Sequence, residues 1–137
     1  MRYVLDTTAF SAAMRRDAAL LEFLKNHRPG DIVTVPPVVA EIQYGIERLD
    51  NSSRKYFLLK SEKDRLLSVI TILPWSSESS DYFGKIKADL EHLGKLIDDF
   101  DIAIAAIAMA HKCHVITANI SHFQRIKKLE SKSWKQE

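Results

Sequence analysis

The chain has 137 residues, 46% of them hydrophobic and 28% charged, with 20 basic side chains against 18 acidic ones and a net charge of +2. This length suits one domain (1–137) with a real core, and the composition excludes disordered and fibrous classes, while the near balance of charge does not by itself announce a nucleic-acid binder. The single cysteine, Cys113, excludes an internal disulfide; with no charged-then-apolar leader and no apolar run of bilayer length, a cytoplasmic protein without a membrane partner is expected.

The first strand signal is "RYVL", which stops at Asp6 and two threonines. "DAALLEFLKNH" follows with apolar residues at helical spacing and Asp17 as its N-cap, and "DIVTV" is a second strand, bounded by "RPG" and by Pro36 and Pro37. From Pro37 to about Leu49 another helix is expected, with Val38, Ile42 and Ile46 four apart and proline tolerated in the first turn. A helical pattern then runs from about Ser53 to Val69, and "ITIL" is a short strand closed by Pro74. "SSESSDYFGKIKADLEHLG" is a polar helix that Gly94 stops, and "DDFDIAIAAIAMAHK" is a strongly apolar one. The strand "HVIT" and a short helix near "SHFQRI" complete the pattern. Repeated alternation of strand and helix predicts an α/β fold with a parallel sheet covered on both faces.

Three acidic positions stand out. Asp6 ends a strand, where a carboxylate is costly to bury but where α/β proteins open their binding crevice. Glu41 lies one turn into an apolar helix, and Asp101 lies just inside the most apolar one, beside Asp98 and Asp99. Singly, each has an ordinary role as a helix cap or first-turn acid. Gathered at one sheet edge, they repel one another unless a cation neutralises them, and hard oxygen donors suit magnesium or manganese.

"YVLDTTAF", "VVAEIQYGI", "GKLIDDFDIAIAAIA" and "VITANISHF" resemble, in order and at similar spacing, the four motif regions of PIN-domain ribonucleases, especially the VapC-like toxins of prokaryotic toxin–antitoxin pairs. The resemblance runs from Tyr3 to about Trp134. It implies a three-layer fold, with a central, mostly parallel sheet of four or five strands flanked by helices. It makes Asp6, Glu41 and Asp101 the acidic, metal-holding core of a catalytic site, with Asn119 and Asp99 in support and Thr117 lining it. It also implies a Mg2+- or Mn2+-dependent endoribonuclease that inhibits translation or growth, acts on RNA and is bound by a cognate antitoxin whose carboxyl-terminal segment lies over the acids. Two positions depart from the family pattern. Thr8 stands where many relatives have asparagine, and Asn119 brings no charge where others have a fourth acid.

Other readings fit less well. "HKCH", with His122 nearby, offers zinc-ligand types at a spacing that matches no closed zinc motif. A phospho-accepting Asp6 would need a second acid nearby and a lysine after a late strand, which Thr8 and "VITAN" do not supply. Housekeeping RNA processing and non-catalytic RNA binding remain as alternatives within the family. "RKYFLLKSEKDRLLSVI" carries Tyr56, Leu59 and Leu66 on one line and Leu58, Leu67 and Ile70 elsewhere, a breadth of apolar surface that predicts a homodimer.

Overall fold

The structure, a computed structural model, describes residues 1–135. Five strands, β1 (Tyr3–Leu5), β2 (Ile32–Thr34), β3 (Thr71–Ile72), β4 (His114–Ile116) and β5 (Ser131–Lys132), form one sheet in the order β3-β2-β1-β4-β5. All four pairings are parallel. Between the strands run α1 (Thr7–Met14), α2 (Ala18–Lys25), α3 (Pro36–Glu47), α4 (Arg54–Leu67), α5 (Ser77–His92), α6 (Asp99–Ala110) and the short α7 (Ile120–Phe123). Val4, Leu5, Val33, Val115 and Ile116 in the central strands are fully or almost fully buried, as a parallel sheet covered on both faces requires. The expected layered α/β architecture is therefore present, and no helix among the described residues is long and apolar enough to cross a membrane.

Local chemistry sets the helix ends. Asp17, Ser53, Ser76 and Asp98 cap α2, α4, α5 and α6 through their side chains. Gly94, at φ +65°, ends α5 in the left-handed conformation, with Lys95 N–H closing onto the Leu90 carbonyl at 2.9 Å. Val38, Ile42 and Ile46 all turn inward from α3. On α4, Leu66 is buried and Tyr56, Leu59 and Leu67 pack partly against the core, whereas Phe57 and Leu58 remain 60% and 58% exposed.

Two elements lie outside the sequence expectation. Helix α1 is only eight residues long, with Thr7, Thr8 and Ser11 on its less buried side, too short to display a period: Ala9, Phe10, Ala12, Ala13 and Met14 are all buried, and the helix packs against α2, α3 and α4. Strand β5 is two polar residues long, paired to β4 at the sheet edge, and held near α2 by Trp134, whose indole N–H donates to Asp17 at 3.2 Å. Alternation cannot reveal a two-residue strand.

Because α1 is held by packing rather than by intrinsic propensity, Phe10 is its main anchor, with no exposed surface. Phe10→Ala should lower unfolding free energy by about 3–5 kcal/mol, read from the urea midpoint at unchanged slope.

Candidate active site

Strand β1 lies at the centre of the sheet, and the chain runs from it outward to β2 and β3 on one side and to β4 and β5 on the other. At such a reversal of strand order a crevice opens beyond the carboxyl ends of the two central strands. The register pairs Leu5 with Ile116, so Asp6 and Thr117 emerge side by side into that crevice, with Asp6 N–H donating to the Ile116 carbonyl at 3.1 Å.

Asp6 is 2% exposed. One carboxylate oxygen, Oδ1, accepts the Thr8 hydroxyl at 2.6 Å and the Ala9 N–H at 2.9 Å, so the acid also caps α1. Burial pushes its pKa above the ordinary 3.8, against the opposing pull of hydrogen bonds from Thr117, Thr8 and Ala9. The Thr8 hydroxyl is bifunctional, since it accepts the Ala118 N–H at 2.9 Å while donating to Asp6. A hydroxyl here thus supports the neighbouring acid in place of the family's amide.

Glu41 projects half-buried from α3, and the Thr7 hydroxyl donates to its Oε1 at 2.6 Å. Asp101 enters from the first turn of α6 with 19% of its side chain exposed. Its pKa is raised to about 6, first by burial and then by the charges of Asp6, Asp98 and Glu41. Carboxylates from three separate elements therefore feel one another across the crevice. Among the described residues no lysine or arginine forms an ion pair with any of these three. His122, on α7, approaches the cluster: its Nδ1 lies 3.5 Å from Asp101 Oδ2, within ion-pair distance but without hydrogen-bond geometry.

The supporting residues fare differently. Asp99 points outward, 60% exposed, and pairs with Lys87 at 3.1 Å, so it is not brought to the cluster. Asn119 is exposed at the start of α7, where its side chain makes no capping bond and its N–H donates to Thr117 Oγ1 at 2.8 Å. Asp98 caps α6 through Phe100 N–H and adds its charge to the field at Asp101. Sequence reasoning did not foresee Thr7 or the closeness of His122 to Asp101. Thr7 and Glu41 lie 34 positions apart, and no local pattern couples them.

In the present arrangement, no three His, Cys, Asp or Glu side chains among the described residues stand close enough to form a ready-made cation cage. This also leaves no zinc site around His111 and Cys113; His111 Nε2 instead faces the Pro74 carbonyl at 3.1 Å and Cys113 is buried. The donor chemistry at the crevice nonetheless fits a hard divalent cation: oxygen ligands, mutual repulsion, and no lysine or arginine to neutralise them.

The raised pKa of Asp101 has a stability consequence with a definite sign. Between about 4 and 6 the folded protein binds this proton more tightly than the unfolded chain does, so its contribution is present at low pH and is lost as pH rises through 6. In chelator at pH 7.5, Asp101→Asn should raise the melting temperature by roughly 2–5 °C, and the gain should shrink towards zero at pH 4. A variant that melts lower at pH 7.5 would contradict the crowding of these charges.

Residues 3–129 match the PIN domain family. Ribonuclease VapC2 of Haemophilus influenzae is 30% identical over 134 residues, spanning 98% of each chain, and Ribonuclease VapC2 of Rickettsia felis is 31% identical over 138 residues, again spanning 98% of each. Among solved structures, VapBC2 from Rickettsia felis bound to a DNA fragment from their promoter superposes with a TM-score of 0.86 at 30% identity, covering 98% of this chain and 100% of that one. The parallel sheet with its flanking helices accords with these matches, and the chain belongs to the PIN-domain family, among the VapC ribonucleases.

Proposed function

We propose that the protein is the toxin of a toxin–antitoxin pair, an endoribonuclease that hydrolyses RNA phosphodiester bonds with a magnesium or manganese ion held by Asp6, Glu41 and Asp101. The observation that carries this reading is that Asp6, after β1, and Glu41, on α3, act by their charge on Asp101, on α6, while among the described residues no lysine or arginine pairs with any of the three. Activation of water and neutralisation of charge at the phosphate are the chemistry such a cation supplies when bound.

The chain's own residues prepare the crevice for it. Thr8 and the Ala9 N–H hold Asp6 by one oxygen, and Thr7 fixes Glu41. Asp101 keeps a proton at mildly acidic pH and must release it to act as a ligand, so activity should rise as pH passes through about 6. Asn119 and Asp99 stand at the margin, Asn119 exposed at the start of α7 and Asp99 paired with Lys87. Hydrolysis by water leaves a 5′-phosphate and a 3′-hydroxyl, and requires no attack by the ribose 2′-hydroxyl.

Two partners belong to this reading. The similar VapBC structures are of toxins with their antitoxins, which supports an antitoxin for this chain, its carboxyl-terminal segment covering the acidic crevice. A homodimer through α4 would cover Phe57 and Leu58, which the core leaves exposed.

Purified protein incubated with total cellular RNA and Mg2+ should cleave it, and chelator should abolish cleavage. Asp6→Asn or Asp101→Asn should reduce the rate by more than roughly 100-fold, beyond the usual effect of residues that merely support metal ligands, and Thr7→Val by roughly 10-fold. Asp99→Asn should stay within about threefold of the parent, because it loses only an exposed pair with Lys87. Equal cleavage by parent and variants, with or without chelator, would mark a contaminant; folded protein that binds RNA but never cuts it would favour the binding-only reading. Light scattering at micromolar concentration should give twice the 15.6 kDa chain mass, reverting to one chain in Phe57→Asp/Leu58→Asp.

A further inference from the structure

The opposite edge of the sheet carries a second feature that the acidic crevice does not use. A cavity of about 820 Å³ opens there between α5, the end of α6 and the turn before β5. His114, which begins β4, and Glu130, just before β5, line it, so it lies at the amino edge of the strands, away from Asp6. Its size falls within the ~300–1,000 Å³ usual for small-ligand sites.

The lining is divided in its chemistry. Ile86, Leu90, Met109, Ile126 and Leu129 supply an apolar floor, and Tyr82 adds a partly buried aromatic ring. Five cations, Lys85, Lys112, Arg125, Lys127 and Lys128, stand around it against two acids, Asp89 and Glu130. In a chain of net charge +2 that is a strong local excess. Among the described residues none of these cations forms an ion pair with a carboxylate.

Backbone conformation fixes where two of these lysines stand. Among the described residues, three other than glycine have positive φ: Arg16, Lys112 and Lys128. Arg16 ends α1, with Asp17 N–H closing onto the Ala12 carbonyl at 3.0 Å. Lys112, at φ +57°, ends α6 in the same bonding pattern by which Gly94 ends α5, with Cys113 N–H closing onto the Ala108 carbonyl at 2.8 Å. Glycine is the ordinary residue at that position, and a side chain there is conformationally costly. Lys128, at φ +66°, repeats the choice in the turn before β5. Both lysines line this one cavity, and among the described residues neither forms an ion pair within the chain.

We propose that the cavity binds a nucleotide, its base on the apolar floor beside Tyr82 and its phosphate against Lys112, Lys127 and Lys128. An apolar slot ringed by cations selects an anion with a flat hydrophobic part. Asp89 and Glu130 are acceptors that the amino groups of a base satisfy and an acyl chain does not. The nucleotide is either free or one unit of an RNA strand, and the site stands whether or not the acidic crevice cleaves RNA.

The test is calorimetric titration of the intact chain, in chelator, with 5′-AMP, with inorganic phosphate and with a five-nucleotide RNA. AMP should bind saturably and more tightly than phosphate. Lys112→Gly/Lys128→Gly should weaken binding by roughly tenfold or more while melting no lower than the parent, since glycine suits both backbone positions. Lys55→Ala/Lys60→Ala removes the same charge from α4 and should leave affinity unchanged. If only the RNA binds, and the glycine pair abolishes it, the nucleotide is part of a strand. Absence of saturable binding by both AMP and RNA, equal affinity for phosphate and AMP, or equal losses in the two double variants would overturn the proposal.

Discussion

Mutual repulsion among Asp6, Glu41 and Asp101 is the constraint around which this fold is arranged. Burial and the charges of Asp6, Asp98 and Glu41 together raise the proton affinity of Asp101. A chain selected for stability alone would separate them. Here the sheet does the opposite, because parallel strands all deliver their following residues to one edge, and the reversal of order between β1 and β4 opens that edge into a crevice. The apolar sheet and the buried face of α6 supply the stability that the charges remove.

The hydroxyls around the acids explain how the arrangement keeps its shape. Thr7, Thr8 and Thr117 each bring a hydroxyl to a carboxylate of the crevice, and Thr8 also takes the Ala118 N–H. A threonine donor fixes an acid without neutralising it, whereas a lysine or arginine would do both and close the site to any other cation. The pair of threonines after Asp6 is therefore more than a turn: the first orients an acid from α3 and the second an acid from its own strand end.

Most of the layered architecture was legible because its elements are long or well punctuated. Asp17, Ser53, Ser76 and Gly94 mark helix ends by their own chemistry, and Val38, Ile42 and Ile46 trace a buried face through their period. Helix α1 escaped because eight residues, with Thr7, Thr8 and Ser11 on one side, are too few to display a period, and β5 because two polar residues carry no alternation. In the crevice, Asp6, Glu41 and Asp101 were marked by acids standing in apolar settings. Asp99 was not separable from Asp98 and Asp101 by position alone. Only the turn of α6 decides that Asp101 faces Asp6 while Asp99 reaches Lys87. Long-range pairs such as Thr7 with Glu41 arise from tertiary packing and leave no local trace.

A net charge of +2 conceals a polarised molecule. Acids gather at the carboxyl edge of the sheet, and the cations of the α6 terminus and the turn before β5 gather at the amino edge. Helix direction contributes to this in part: the amino terminus of α6 tolerates Asp98, Asp99 and Asp101, and its carboxyl terminus tolerates Lys112, so one helix spans both fields with its dipole favouring each. The dipole accounts for the sign of the charge at each end but not for the backbone conformation. The left-handed φ of +57° at Lys112 belongs to the helix end itself, where Cys113 N–H closes onto the Ala108 carbonyl, and this closure sets the lysine at the amino edge of the sheet beside the turn before β5.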